Sequence, residues 1–203
     1  NNNSYIYASS QYGGFGRSVN GGYGFDYGLN GISAARFNWS TPYIFNPLNS
    51  NTLYIGGNKV YKTTNRAQYW QRISDDLTNG PGEYNQTFGT ITTISVSAVD
   101  TNIIYVGTDD GNVWYSPDDG GQWINIKNGL PNRWITCVAA DPFEENTAYV
   151  TVSCYRYDSF LPHVFKTTDN GFTWIDIYSN LPEAPVNKIL HDPEVEDLLY
   201  LAN

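Results

Sequence analysis

Thr167-Thr168-Asp169-Asn170-Gly171-Phe172-Thr173-Trp174 has the make-up of a tight hairpin. An Asp between two strands accepts hydrogen bonds from the amides of its own turn, and the Gly two positions on supplies the positive φ that closes it. The terminal Trp then returns to the sheet as a large apolar plug. The same order of residue types (Ser/Thr, any, Asp/Asn, any, small, any, any, aromatic) recurs three more times. The copies are Ser18-Val19-Asn20-Gly21-Gly22-Tyr23-Gly24-Phe25, Thr63-Thr64-Asn65-Arg66-Ala67-Gln68-Tyr69-Trp70 and Ser116-Pro117-Asp118-Asp119-Gly120-Gly121-Gln122-Trp123. They begin at residues 18, 63, 116 and 167, a period of roughly 50 residues, which is the size of one four-stranded propeller blade. Ala67 stands where the other copies have Gly, so a looser or differently shaped turn is expected there.

Working outward from each box, the flanks repeat as well. Tyr5–Ala8, Leu53–Gly56, Ile104–Gly107 and Ala148–Thr151 precede the boxes and alternate in the manner of strands, each followed by a turn and a second strand such as Val60–Lys62 or Val113–Tyr115. Ahead of three of these lie strands over Thr41–Phe45, Thr92–Val99 and Trp134–Ala140, ending in polar turns such as Asn46-Pro47 and Asp141-Pro142. A fourth spans Val186–Leu190, before Asp192-Pro193. The predicted fold is all-β: four-stranded antiparallel blades of a β-propeller, about four repeats, over residues 1–203 as a single segment. The register opens on the second strand of one blade and stops on the second strand of another. The expectation is a sector of a larger propeller whose remaining blades lie elsewhere in a parent chain.

Composition agrees. Of the 203 residues 16% are aromatic and only 15% charged, with 19 Gly, which suits short strands joined by tight turns and not a helical bundle. The formal net charge of −9 repels a phosphate backbone, so nucleic acid is excluded as a partner. No apolar run is long enough for a membrane helix, and the Asn-rich start is not a signal peptide. With no Met in the chain, a processed product or an excised piece is expected. Cys137 and Cys154 are placed in neighbouring antiparallel strands, Cys137 opposite Val150, too far apart for a disulfide. Metal and cofactor sites are not predicted: His163 and His191 are distant in the repeat, and the box acids are spaced for turns, not for a calcium loop. Asn2-Asn3-Ser4, Asn38-Trp39-Ser40 and Asn85-Gln86-Thr87 fit the glycosylation triplet and read as surface loops.

The four boxes resemble the Asp-box, or bacterial neuraminidase repeat. The longer run is similar to sortilin-like Asp-box propellers of secreted bacterial proteins, through Ile103–Trp114, Gly129–Thr136 and Pro162–Trp174. The resemblance implies a propeller and a secreted or cell-surface location; it leaves function open, because such repeats serve sialidases, xyloglucanases, sortilin receptors and photosystem assembly factors. A sialidase would need three clustered arginines and a Phe/Tyr-Arg-Ile-Pro motif, which is absent. A xyloglucanase-type hydrolase would place one of two carboxylates in a Thr-Asp-x-Gly loop, and Thr108-Asp109-Asp110-Gly111 matches it. The same composition is also that of an ordinary tight hairpin.

The expected function is therefore an extracellular, non-catalytic binding or structural module for a protein or glycan, with a glycoside hydrolase fragment using Asp109 as the alternative. The candidate site is the insert carrying Tyr155, Arg156, Tyr157 and Asp158, with Asp109, Asp110, Arg133 and Trp134 beside it. Box turns join third and fourth strands at one end of a blade. Second-to-third loops and blade-to-blade connections must emerge together at the other.

Overall fold

The computed structural model describes residues 4–82 and 87–203. It is built of antiparallel sheets that follow one another along the chain. Blade 1 has β1 (Ile6–Ser9), β2 (Phe15–Ser18) and β3 (Asp26–Tyr27); blade 2 has β4 (Tyr43–Asn46), β5 (Asn49–Gly56), β6 (Val60–Thr63) and β7 (Gln71–Arg72). Blade 3 comprises β8 (Ile91–Val96), β9 (Ile104–Thr108), β10 (Val113–Ser116) and β11 (Ile124–Asn125). Blade 4 comprises β12 (Trp134–Ala140), β13 (Ala148–Ser153), β14 (His163–Thr167) and β15 (Ile175–Asp176), after which β16 (Lys188–His191) and β17 (Leu199–Ala202) pair as the first two strands of a further blade. This is a sector of a β-propeller.

The core lies between blades. Ile103, Tyr105 and Val113 of blade 3 pack with Ile135, Val138, Val150 and Phe165 of blade 4. A second cluster joins Tyr54 and Val60 of blade 2 to Ile91, Ile94 and Val106 of blade 3. A strand in the middle of a blade is covered on both faces, which is why β9 reads Ile-Tyr-Val-Gly-Thr with no polar face and is buried throughout. Inner strands are stitched together by hydroxyls: Thr93 and Ser95 accept from the amides of Val138 (3.1 Å) and Ala140 (2.9 Å).

All four boxes form the same turn. The third-residue carboxylate or amide oxygen accepts the backbone amide four residues on: Gly24 to Asn20 at 3.1 Å, Tyr69 to Asn65 at 3.1 Å, Gln122 to Asp118 at 2.7 Å and Thr173 to Asp169 at 2.8 Å. The first-residue hydroxyl accepts the amide of the fifth residue, Gly22, Ala67, Gly120 or Gly171. Positions four and five both have positive φ, and Ala67 adopts +59°. The turn at Ala67 therefore has the common shape, contrary to expectation, because five hydrogen bonds within the box over-determine it.

Other expectations shift. Trp70 is fully buried, but Trp123 and Trp174 are half-buried and Phe25 is 47% exposed. Cys137 lies opposite Thr151, not Val150, because a bulge between Ile135 and Cys137 moves the register by one. Both cysteines are free and buried. The first strand of blade 2 begins at Tyr43, and the strand expected over Val186–Leu190 spans Lys188–His191. Asn2 and Asn85 of two of the glycosylation triplets fall outside the described residues.

Candidate functional site

The β13–β14 loop opens with a short 3-10 turn, Tyr155–Tyr157, and leaves it through Asp158 in the left-handed region at φ 55°. That turn lifts Tyr155, Arg156, Tyr157 and Asp158 into solvent, and Tyr155 is 62% exposed. The β9–β10 loop brings Asp109 and Asp110, and the connection from blade 3 to blade 4 brings Arg133 and Trp134. All of these positions lie at the end of the blades opposite the box turns. The structure gathers them: the Arg156 guanidinium sits 4.7 Å from the centre of the Trp134 ring and that of Arg133 sits 4.0 Å from Tyr157.

A cleft of about 180 Å³ opens among them, lined by Asp109, Trp134, Tyr155, Arg156, Tyr157 and Asn187. Its walls are tied to the blades by ring packing and hydrogen bonds. Phe88 meets Trp134 edge-on at 6.3 Å, and Thr136, also at the cleft, bonds Thr151 at 2.7 Å and the carbonyl of Val186 at 3.0 Å. Thr136 and Asn187 escaped the sequence reading. Thr136 was detectable as a polar residue at the rim end of an inner strand, whereas nothing local marks Asn187. A second cleft, sharing Asp109 and Tyr157, reaches Asp110, Asn132 and Arg133.

The two acids are braces. Asp109 is 1% exposed, and its Oδ2 accepts the amide of Phe88 (2.6 Å) and the hydroxyl of Thr90 (3.0 Å), while Oδ1 accepts the amide of Thr90 (2.9 Å). Burial raises its proton affinity above the usual carboxylate range, and the bonds from Thr90 and Phe88 oppose that rise. Asp110 accepts from the Thr108 hydroxyl (2.6 Å), the Asn112 side chain (2.9 Å) and the amide of Asn79 (2.6 Å). Together they fasten the incoming connection to its blade. Among the described residues no cluster of His, Cys, Asp and Glu could hold a metal ion, and no helix is long and apolar enough to cross a membrane.

No family model and no curated protein matches the chain. Solved structures do. A GH74 enzyme from Niastella koreensis is 22% identical over 87% of this chain and 28% of its own, with a TM-score of 0.63. The GH74 xyloglucanase from Xanthomonas campestris is 18% identical over 92% and 30%, with a TM-score of 0.61. YCF48 bound to D1 peptide is 13% identical over 92% and 53%, with a TM-score of 0.55. At these identities the likeness is one of fold, and the chain spans under a third of the two GH74 proteins.

Proposed function

We propose that residues 1–203 form one segment of an Asp-box propeller, secreted or displayed at a bacterial surface, whose rim cleft binds a protein or glycan without catalysis. The carrying observation is the division of labour at the rim. Tyr155, Tyr157 and Asp158 are exposed around an open cleft on a rigid scaffold, the usual placement of recognition groups, while both oxygens of the nearest acid are engaged in holding backbone. The four identical turns support the Asp-box assignment, and the sortilin-like reading rests on sequence resemblance alone. Titration with cello- and xylo-oligosaccharides, read by Trp fluorescence, tests the glycan form. Binding lost in Trp134→Ala and Tyr155→Ala is expected, and binding unchanged in both removes the cleft from consideration.

The second reading, a glycoside hydrolase fragment, draws on two observations: the GH74 neighbours and the raised proton affinity of Asp109, which a general acid requires. Hydrolysis of β-glucan by the intact protein, abolished in Asp109→Asn with the fold unchanged, would replace the binding reading with this one.

A further inference from the structure

A cleft of about 530 Å³ lies along the seam between blades 2 and 3 and shares no residue with the two rim clefts. It reaches from Gly120 in blade 3 to Leu77, past the outer strand of blade 2. Its size is that of a small-molecule site. Two indoles line it. Trp114 donates its ring N–H to the carbonyl of Leu77 at 2.7 Å and Trp123 donates to that of Ile73 at 2.9 Å, so both rings are held in place before any ligand arrives. Trp114 stands two residues before its box. The same position holds Tyr61 in blade 2 and Phe165 in blade 4, and these are only 3% and 7% exposed. A six-membered ring is therefore enough to fill that place in a blade. The larger indole of blade 3 is half-buried and extends into the seam.

The two acids of the seam differ. Asp76 Oδ2 accepts from Arg36 at 2.9 Å and Asn58 at 2.7 Å, and its Oδ1 accepts from the amide and hydroxyl of Thr78 at 3.0 and 2.7 Å, so it is spent on holding the chain. The Asp75 carboxylate accepts no hydrogen bond from the described residues. Its side chain is 95% exposed, and its ion-pair partner Arg72, 54% exposed, stands 3.8 Å away. We propose that this seam is a second binding site, for a neutral glycan. A sugar ring lies with its C–H face against the flat apolar surface of Trp114 and Trp123, its hydroxyls donating to Asp75 and accepting from Arg72. Asp75 and the net charge of −9 oppose an anionic glycan. A peptide strand finds little to pair with, because β7 beside the cleft is two residues long. The site is independent of the rim reading.

The test is isothermal titration with cellohexaose, xylohexaose, mannohexaose and laminarihexaose in a Tyr155→Ala background, which removes an exposed ring from the rim. Binding of at least one is expected. Asp75→Ala should weaken it about tenfold or more, the worth of a hydrogen bond to a charged group, and this side chain is too exposed for its loss to unfold the chain. Trp114→Phe, which gives blade 3 the ring that blade 4 carries, should weaken it too. Binding by none of the four sugars, or binding that neither variant weakens, overturns the seam site. Tighter binding of hexagalacturonate overturns its assignment to neutral sugars. Comparison of the Tyr155→Ala background with the parent chain reports separately on the rim, so either site can fail without the other.

Discussion

Blade 1 and blade 3 contain the same box turn and use it differently. In both, the third residue holds an amide four positions on, at 3.1 Å for Asn20 and 2.7 Å for Asp118. Yet Phe25 is 47% exposed and Tyr23 is 95% exposed, while Trp123 reaches back to Ile73 and packs against the cluster joining blades 2 and 3. The turn is set within one blade, by its box and by a carbonyl at or near the second strand that accepts the fourth box residue's amide. The burial of its aromatic depends on a contact with another blade, and the phenyl ring of Phe25, unlike the indole of Trp123, has no N–H to give to one. Local rules thus make blades, and indole N–H bonds between consecutive blades help join them.

The largest expected effect tests this division directly. Trp70→Ala should cost about 3–5 kcal/mol in urea unfolding, the range for a large core aromatic, whereas Phe25→Ala should cost under about 1 kcal/mol. Equal losses would break the comparison. Next, Gly171→Ala should cost about 1–3 kcal/mol through overpacking against Ile126. In an Ile126→Ala background it should cost less, by about 1 kcal/mol in a double-mutant cycle; strict additivity would mean that the close approach of Gly171 to Ile126 carries no energy. Smaller again, Asn20→Ala and Asp118→Ala should each cost about 1 kcal/mol, because each strands turn amides. A negligible loss at Asn20 would mean that its turn depends on a neighbour after all.

The smallest effect is one of pH. Bonds from the Thr173 hydroxyl, then from its amide, hold the Asp169 carboxyl below its ordinary range. A depressed folded value stabilises above the unfolded value and is lost as pH falls through the folded one. Between about pH 5 and about pH 2, Asp169→Asn should lose less stability than the parent chain. The difference will be small because the group lies at the surface, partly open to solvent, and a steeper loss in the variant would reverse the assignment.

What could be read from the chain follows the same division. The four boxes, the strand order and the meeting of Tyr155, Arg156, Arg133, Trp134 and Asp109 at one rim depend on alternation and on short-range hydrogen bonds, so residue types sufficed. The exposure of Phe25 and the half-burial of Trp123 depend on the blade next door. The register of Cys137 turned on a bulge that no composition marks. Asp109 was legible as an acid in a hairpin, but its clamp on Phe88 and Thr90 spans about twenty residues of sequence, and Asn187 arrives at the cleft from yet another blade.

The outer strands β3, β7, β11 and β15 are two residues long each. A sheet edge recruits foreign strands in proportion to the open ladder it offers, and a long flat edge seeds fibres. Two residues give an intruding chain too few bonds to hold. Blades can therefore be added side by side while the outward edges of blades 1 to 4 stay poor templates for aggregation, which lets a chain with 16% aromatic residues carry repeated sheets at its surface.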